Sequence, residues 1–219
     1  MDQIEKLYVS CINCSNTDCR GINKNKAKGI IPKGFFYSTT KPKILIAAKN
    51  PGHPLEGEIE KYKGKSDFDM FVAHKQFVKK VFTDPKIKTT FHKNLEEYIK
   101  FFLGFNKDAP IDIFDYVNYT NLVKCETINE TGRISTITME NCFRNYFLQE
   151  IELFKPKVIL ALGREVELFL KKKNLNIPII YIKHPSYYEL CLYLFLFIKN
   201  IGFKIMQSSY IISVFCGSF

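Results

Sequence analysis

The chain has 219 residues, of which 32 are lysine or arginine and 22 are aspartate or glutamate, so its formal net charge is +10. A hydrophobic fraction of 46% excludes a disordered chain, and the longest uncharged apolar run, residues 190–198, is far shorter than the ~20 residues that span a bilayer. The length fits one domain with a single core, which we expect to cover residues 1–219.

The N-terminal segment and the cysteines indicate a reducing compartment. The first residues include acidic side chains and no long apolar stretch, which predicts no secretory signal and a cytoplasmic protein. Disulfides are rare there, so the seven cysteines are expected to bind metal or to be buried. Residues 1–50 hold nine basic and three acidic side chains, a net of +6. This basic field favours nucleic acid as a partner, and a solvated lysine-rich surface is the competing interpretation.

Four short runs rich in isoleucine, valine and leucine predict strands buried on both faces, as in a parallel sheet. They occupy residues 43–48, 116–123, 157–162 and 177–182. Amphipathic patterns predict helices at residues 68–82, 95–105, 139–154, 164–173 and 188–199. Residues 126–138 are polar and predict a loop. Strands that alternate with helices indicate βαβ units and an α/β sandwich.

Polar or turn-forming residues follow each of the four predicted strands. Asn50 follows the first strand, Asn121 lies near the end of the second, Arg164 follows the third and His184 follows the fourth. In parallel α/β sheets, ligands bind at the carboxyl ends of the strands. The sequence therefore predicts a ligand site where these side chains converge.

Four cysteines are candidate metal ligands: Cys11, Cys14, Cys125 and Cys142. The first two form a C-x2-C pair that can aim two thiolates at one metal, and the other two lie far downstream. Four thiolates suit a [4Fe–4S] cluster or zinc. Cys19 is a fifth candidate that could replace one ligand. Two cysteines in apolar surroundings are expected to be buried thiols: Cys191 and Cys216.

Five motifs follow one another along roughly residues 8–190. They are the C-x2-C pair, Asn50-Pro51-Gly52, the run 119–125, Cys142 with the helix and strand that end at 163, and His184-Pro185-Ser186. In this order they resemble the uracil-DNA glycosylase superfamily, and most closely its iron–sulfur branch (family 4). The resemblance implies a three-layer α/β/α sandwich around a four-stranded parallel sheet. It also implies a structural [4Fe–4S] cluster rather than zinc, and hydrolysis of N-glycosidic bonds in DNA.

The first motif departs from that branch, whose members usually carry a glycine-glutamate-alanine-proline-glycine sequence there. The Asn50-Pro51-Gly52 sequence instead resembles the mismatch-specific and single-strand-selective branches. Gly52 stands where uracil-specific relatives have a bulky aromatic residue that excludes groups at pyrimidine C5. The base is therefore left open between uracil, as in base excision repair, and a C5-modified pyrimidine. A hypermodified cytosine of phage DNA, attacked by a defence enzyme, is the main alternative substrate.

The resemblance also implies roles for individual residues. Asn50 would hold the attacking water, and its competing interpretation is a loop cap. His184 would donate a hydrogen bond to O2 of the departing base, whereas a lone histidine is more often structural. Asn121 would read the edge of the flipped base with its amide. Asn118 is the competing candidate on the same face of the strand.

Further contacts are implied for the base and for the DNA backbone. Phe68 would stack on the flipped base, with Phe71 as its competitor, and both also fit core positions of a helix. Gly52 would leave room beside the base. Four residues are predicted phosphate contacts: Lys49, Arg164, Lys183 and Ser186.

The resulting expectation is a monofunctional DNA glycosylase that acts as a monomer on DNA, without a membrane. An alternative of another class is a non-catalytic DNA-binding iron–sulfur protein, because an amide replaces a carboxylate at Asn50. An electron-transfer iron–sulfur protein is a third possibility, which leaves the convergence of polar residues at the strand ends unexplained.

Overall fold

A computed structural model describes residues 1–37, 42–129 and 133–186 of the chain. Its strands are Ile22–Asn23 (β1), Phe35–Phe36 (β2), Ile44–Ala48 (β3), Val117–Asn121 (β4), Glu126–Thr127 (β5), Val158–Leu162 (β6) and Ile179–Ile182 (β7). Five of them form one sheet in the order β2-β4-β3-β6-β7, and β1 pairs with β5 in a separate antiparallel sheet. Within the five-stranded sheet, β4, β3, β6 and β7 are parallel and β2 is antiparallel to β4.

Six α-helices in the described residues alternate with these strands along the chain. They are Gln3–Ile12 (α1), Asp67–Thr83 (α2), Thr90–Phe102 (α3), Thr136–Cys142 (α4), Leu148–Phe154 (α5) and Arg164–Lys171 (α6). A π-helical turn, Phe143–Phe147, joins α4 to α5, and three short 3-10 turns cover Lys26–Lys28, Ile59–Lys61 and Ile113–Asp115. No helix in the described part of the chain is long and apolar enough to cross a membrane.

Side-chain caps define where several helices begin. Asp2 accepts a hydrogen bond from the backbone N–H of Glu5, whose carboxylate accepts one in return from the Asp2 N–H, so α1 starts with a capping box. Ser66 and Ser135 accept hydrogen bonds from the third residues of α2 and α4. These caps satisfy backbone N–H groups that have no partner within the helix.

The core is divided between the two faces of the sheet. Alternate residues of β3 point to opposite faces, so Leu45 and Ala47 pack in one apolar cluster while Ile44 and Ile46 pack in another. The first cluster includes residues of α1, α2, α5 and α6, and the second includes residues of α3. All five residues of β3 and of β6 are buried, as the apolar runs predict.

The α/β class and the four predicted parallel strands are confirmed. The sheet has one strand more than the four predicted, because β2 adds an antiparallel edge through the pairs Phe35–Thr120 and Phe36–Tyr119. A two-residue strand carries too little periodicity to be recognised in sequence. The polar stretch 126–138, predicted as a loop, contains β5 at its start and the first three residues of α4 at its end, and α1 was not predicted.

The three-layer arrangement and the single domain stay predictions. The predicted helix at 188–199, Cys191, Cys216 and the tail after Gly202 lie outside the described residues.

Candidate active site

A cavity of about 440 Å³ lies at the carboxyl ends of the parallel strands. This cavity is lined by five of the site residues that were predicted from the sequence: Asn50, Gly52, Asn121, His184 and Ser186. They meet because β3 pairs in register with β4, with Ala48 opposite Asn121, and because β6 and β7 end side by side on the other flank. The volume is within the range of small-molecule sites, roughly 300–1,000 Å³.

The loop after β3 carries Asn50 and Gly52. The Asn50 amide donates a hydrogen bond from Nδ2 to the carbonyl of Pro51 at 2.9 Å, which orients its side chain within the loop. Its Oδ1 is the atom that can accept a hydrogen bond from a water molecule. A Cβ atom built on Gly52 would meet nothing within 4 Å. A side chain at Gly52 would therefore meet open space, and the predicted role of Gly52 beside the base stays a prediction.

Asn121 is 1% exposed and is held rigidly at the end of β4. Its Nδ2 donates to the Gly34 carbonyl at 2.9 Å, and its Oδ1 accepts from the Tyr119 hydroxyl at 3.4 Å. Gly34 has φ +84°, and a Cβ atom on it would lie 2.1 Å from Asn121 Nδ2, so only glycine allows this contact. The second hydrogen of the Nδ2 amide is the group that can address a base.

Asn118 does not share this position. Residues three apart on a strand point to opposite faces, so the expectation that Asn118 lies on the same face as Asn121 is wrong. Its side chain is buried and donates a hydrogen bond to the Pro42 carbonyl at 3.3 Å, near the start of β3. Asn118 is not among the residues that line the cavity.

His184 follows β7, lines the cavity and accepts a hydrogen bond on its Nδ1 atom. The backbone N–H of Ser186 donates to its Nδ1 at 3.3 Å, which leaves the proton of a neutral imidazole on Nε2. Burial lowers the pKa of His184, so the neutral form is favoured. Asn94 of α3, which sequence patterns missed, donates from Nδ2 to the Pro185 carbonyl at 2.7 Å and anchors this loop.

The predicted stacking residue lies away from the cavity. Phe68 is in the first turn of α2, is 44% exposed and contacts the buried Phe71 at 6.3 Å between ring centroids. Neither ring is among the cavity-lining residues. Phe91 does line the cavity, and its ring centroid is 5.4 Å from that of His184. Other aromatic side chains of the lining are Phe35, Phe77, Phe82 and Tyr119.

Two of the predicted phosphate contacts form ion pairs within the protein. Lys49 Nζ is 2.8 Å from Glu165 Oε2, and Arg164 Nη1 is 2.5 Å from Glu167 Oε2. Lys183 is half-buried beside His184. Ser186 is exposed, and it is the one predicted phosphate contact that lines the cavity.

A wall of buried polar side chains forms another part of the lining, and no sequence motif pointed to it. Lys33, Glu58 and His74 line the cavity and are at most 6% exposed. Lys33 Nζ is 2.8 Å from Glu58 Oε1, and the Tyr62 hydroxyl donates to the same oxygen at 3.1 Å. The backbone N–H of Leu55 donates to Glu58 Oε2 at 2.9 Å, so the carboxylate also fixes the loop after Gly52.

Most of the chain is similar to a known protein family. A model of the uracil DNA glycosylase superfamily matches residues 35–191, which is more than half of the chain. The chain belongs to the uracil DNA glycosylase superfamily. No curated protein matches the chain. Membership in the superfamily implies a hydrolytic DNA glycosylase in general, with DNA as its partner and base excision as its chemistry.

Five cysteines come from separate segments and lie near enough to one another to influence each other's pKa. Cys11 ends α1, Cys14 and Cys19 follow it, Cys125 follows β4 and Cys142 ends α4. Burial raises the pKa of the Cys142 thiol to about 11 and also raises those of Cys11 and Cys125, and neighbouring cysteines add to each effect. The donor set is the one that an iron–sulfur cluster or zinc requires. Within the described ranges, no group of three or more acidic, histidine or cysteine side chains is arranged to hold a metal ion.

A buried ion pair lies next to the end of the strand that carries Asn121. Lys124 Nζ is 2.8 Å from both carboxylate oxygens of Glu150 and donates to the Asn121 carbonyl at 2.7 Å. Glu150 also accepts hydrogen bonds from the Tyr8 hydroxyl at 2.8 Å and the Thr120 hydroxyl at 2.7 Å. The pair therefore ties α1 and α5 to the end of β4, where Asn121 is held.

Proposed function

We propose that the protein hydrolyses the N-glycosidic bond of a pyrimidine that has been flipped out of DNA, either uracil or a C5-modified base. The observation that carries the proposal is the convergence of Asn50, Asn121 and His184 on one cavity at the carboxyl edge of the sheet, in a member of a glycosylase superfamily. A base must leave the stack to reach such a cavity, and the pocket then receives it edge first.

The chemistry assigns a different task to each side chain. As the bond between C1′ and the base nitrogen breaks, its electron pair leaves with the base, and positive charge develops on the sugar in an oxocarbenium-like transition state. The Nε2–H of His184 donates a hydrogen bond to base O2, where the negative charge accumulates. A neutral imidazole, which the lowered pKa favours, can fill this role because its proton is on Nε2 while Nδ1 accepts from Ser186. The second Nδ2 hydrogen of Asn121 donates to the base edge.

Asn50 positions the water that completes the reaction. An amide cannot remove a proton from water, so its contribution is orientation of the water oxygen towards C1′. Orientation suffices when bond breaking precedes attack. The water oxygen then bonds to C1′, and its proton passes to solvent or to the departed base, which leaves an abasic site and a free base.

For the stacking role we propose Phe91 instead of Phe68. The ring of Phe91 lies beside His184 on the cavity wall, whereas Phe68 faces solvent. The open space at Gly52 supports a substrate with a group at C5, including the hypermodified cytosines of phage DNA.

We also propose that Cys11, Cys14, Cys125 and Cys142 hold a [4Fe–4S] cluster, with Cys19 as the alternative ligand. Its role would be structural, because none of these cysteines is among the residues that line the cavity. The purified protein should be brown and contain iron. A colourless protein that contains zinc would contradict the iron–sulfur assignment but not the glycosylase assignment.

An abasic-site assay tests the proposed reaction. The substrates are oligonucleotides that contain uracil, thymine mismatches, hydroxymethylcytosine or glucosylated hydroxymethylcytosine. Asn50→Ala should lower base release at least ~100-fold and leave DNA binding intact, because it removes only the water-positioning amide. Asn106→Ala, which changes an exposed asparagine in a loop after α3, is the matched control. Release of no base from any substrate would favour the non-catalytic DNA-binding alternative.

A further inference from the structure

His92 is a second histidine of the cavity lining, besides His184, to which no sequence motif pointed. It lies in the first turn of α3, is half-buried and lines the cavity together with Thr89 and Phe91. The imidazole meets the rings of Phe82 and Phe91 at right angles, with centroid distances of 4.8 and 5.2 Å. These two contacts orient the plane of the ring within the cavity wall.

A hydroxyl group fixes the same imidazole from a third side. Thr89 is the N-cap residue of α3, yet its side chain makes no hydrogen bond to a backbone N–H, unlike Ser66 and Ser135 at the starts of α2 and α4. Thr89 Oγ1 lies instead 2.6 Å from Nδ1 of His92. The chain thus gives up a contact that normally stabilises a helix start and holds a side chain with it. Such a break in a local rule is typical of functional positions.

The hydrogen bond to Thr89 determines what the other ring nitrogen offers. Burial lowers the pKa of His92 to about 4, with Lys88 adding to the effect and Glu58 opposing it, so the ring is neutral at pH 7. If the Thr89 hydroxyl donates to Nδ1, its only proton is paired, whereas the reverse direction leaves that proton without an acceptor among the described residues. Nε2 then carries the imidazole proton. Within the described part of the chain, Nε2 has no hydrogen-bond partner.

The position of Phe91 relates this donor to the flipped base. The Phe91 ring centroid is 5.4 Å from that of His184 and 5.2 Å from that of His92. A base that stacks on Phe91 therefore has both imidazole rings beside its edge. His184 is assigned to O2 of the base, and the other polar group that every pyrimidine carries outside its ring is at C4. That group is an oxygen in uracil and thymine and an amino group in cytosine.

We propose that His92 is a specificity-determining residue, which donates a hydrogen bond from Nε2–H to an oxygen at C4 of the flipped base and so selects uracil-type bases over cytosine-type bases. This inference rests on the proposed function, because it assumes that a flipped pyrimidine stacks on Phe91. An amino group at C4 would point a second donor at Nε2–H and leave both protons unpaired. Thr89 is then a positioning residue that acts through His92.

The test compares two bases that differ only in the atom at C4. The base that the abasic-site assay shows to be excised is placed in a duplex with either oxygen or sulfur at C4, as in uracil and 4-thiouracil, because sulfur is the weaker acceptor. Single-turnover excision gives a ratio of the two rates for each protein. The intrinsic reactivity of the two bases is common to all proteins, so a change in the ratio reports the contact. Thermal melting confirms that each variant is folded.

Four variants separate recognition from folding. His92→Leu removes both ring nitrogens, and His92→Gln places an amide donor near the position of Nε2. Thr89→Val removes the hydroxyl that orients the ring, and Thr90→Val, at the exposed next residue, is its matched control. His92→Leu should lower the oxygen-to-sulfur ratio about 10-fold, the effect of one hydrogen bond, and His92→Gln should restore most of it. Thr89→Val should lower the ratio by a smaller factor, and Thr90→Val should leave it unchanged.

The outcomes distinguish this inference from the proposed function. A ratio that is the same in the parent protein and in His92→Leu overturns the role of His92, while excision itself still supports the proposed function. Equal losses on both bases also overturn it, because they indicate a structural role. A substrate with an amino group at C4 that is excised faster than its uracil-type counterpart overturns the selection. A parent protein that excises no base overturns the proposed function and the inference together.

Discussion

Replacement of Glu150 by glutamine removes the charge partner of Lys124, whose side chain is 1% exposed. Glu150 is itself 0% exposed and receives four hydrogen bonds of 2.7 to 2.8 Å, two of them from the Lys124 ammonium group. Glutamine has nearly the same shape, so it creates no cavity. The substitution leaves the ammonium charge buried and uncompensated, which costs about 3–5 kcal/mol.

The assay is urea denaturation followed by circular dichroism. With a slope of about 2 kcal/mol per molar urea, the loss moves the unfolding midpoint down by about 2 M. Glu165→Gln is the matched control, because Glu165 also pairs with a lysine at 2.8 Å but is 57% exposed. An exposed pair contributes at most about 1 kcal/mol, so the control midpoint should move by less than about 0.5 M.

A double variant tests the physical cause. Lys124→Met together with Glu150→Gln removes the stranded charge and retains an amide that can bond to Tyr8 and Thr120. The double variant should therefore be more stable than Glu150→Gln alone. A midpoint for Glu150→Gln that matches the Glu165→Gln control, or a double variant that is less stable than the single one, would refute the reasoning.

Two further predictions concern pH and substrate choice. The free energy of unfolding should fall between about pH 6.5 and pH 4, because the unfolded chain binds a proton at His74 in this window and the folded protein, with a pKa of about 4, does not. The contribution of His74 is roughly 3 kcal/mol, lost as the pH falls, so the stability of His74→Asn relative to the parent should rise by that amount from pH 7 to pH 4. An unchanged difference between parent and variant across the window would contradict the lowered pKa. Gly52→Tyr should slow excision of C5-modified pyrimidines at least ~10-fold while uracil excision changes little, since a side chain there meets open space and no positive φ strains it. Equal rates on both kinds of base would show that Gly52 does not face C5.

The site at the strand ends could be predicted from the sequence, because parallel strands bring residues that are distant in the chain to one edge of the sheet. Asn50, Asn121 and His184 are far apart in the chain, yet each follows or ends a buried apolar run, and the rule for ligand sites in parallel sheets then places them together. Phe68 was assigned by its distance after the first motif alone. The helix begins at Asp67, so residue 68 falls in an exposed first turn, which a count of residues does not reveal.

The buried polar wall could not be predicted, because its members come from three segments with no common spacing. Lys33 precedes β2, Glu58 lies in the loop after β3, and His74 lies in α2. In the sequence, Lys33 counts towards the basic field of residues 1–50, whereas in the structure a carboxylate neutralises it. Lys124 is likewise buried against Glu150. Composition reports the total charge of a chain and not which charges solvent or DNA can reach.

The exposed charges at the strand ends make a separate prediction for DNA binding. Lys49 directly precedes Asn50, but Glu165 holds its ammonium group at 2.8 Å. A DNA phosphate must displace this carboxylate before it can pair with Lys49 and release one of the counterions bound to the DNA. Glu165→Gln should therefore strengthen binding to a duplex, and Lys49→Gln should weaken it.

The salt dependence of binding distinguishes this mechanism from a general effect of net charge. Each phosphate contact contributes about 0.9 to the slope of log K against log salt concentration. If Lys49 contacts a phosphate, Lys49→Gln lowers the slope by about that amount, and Glu165→Gln keeps the parent slope or steepens it. Lys80→Gln, which changes an exposed lysine of α2 with a similar change in net charge, should leave the slope unaltered. Equal slopes for Lys49→Gln and Lys80→Gln would remove Lys49 from the DNA-binding edge. The contacts would then have to come from other basic residues at the strand ends.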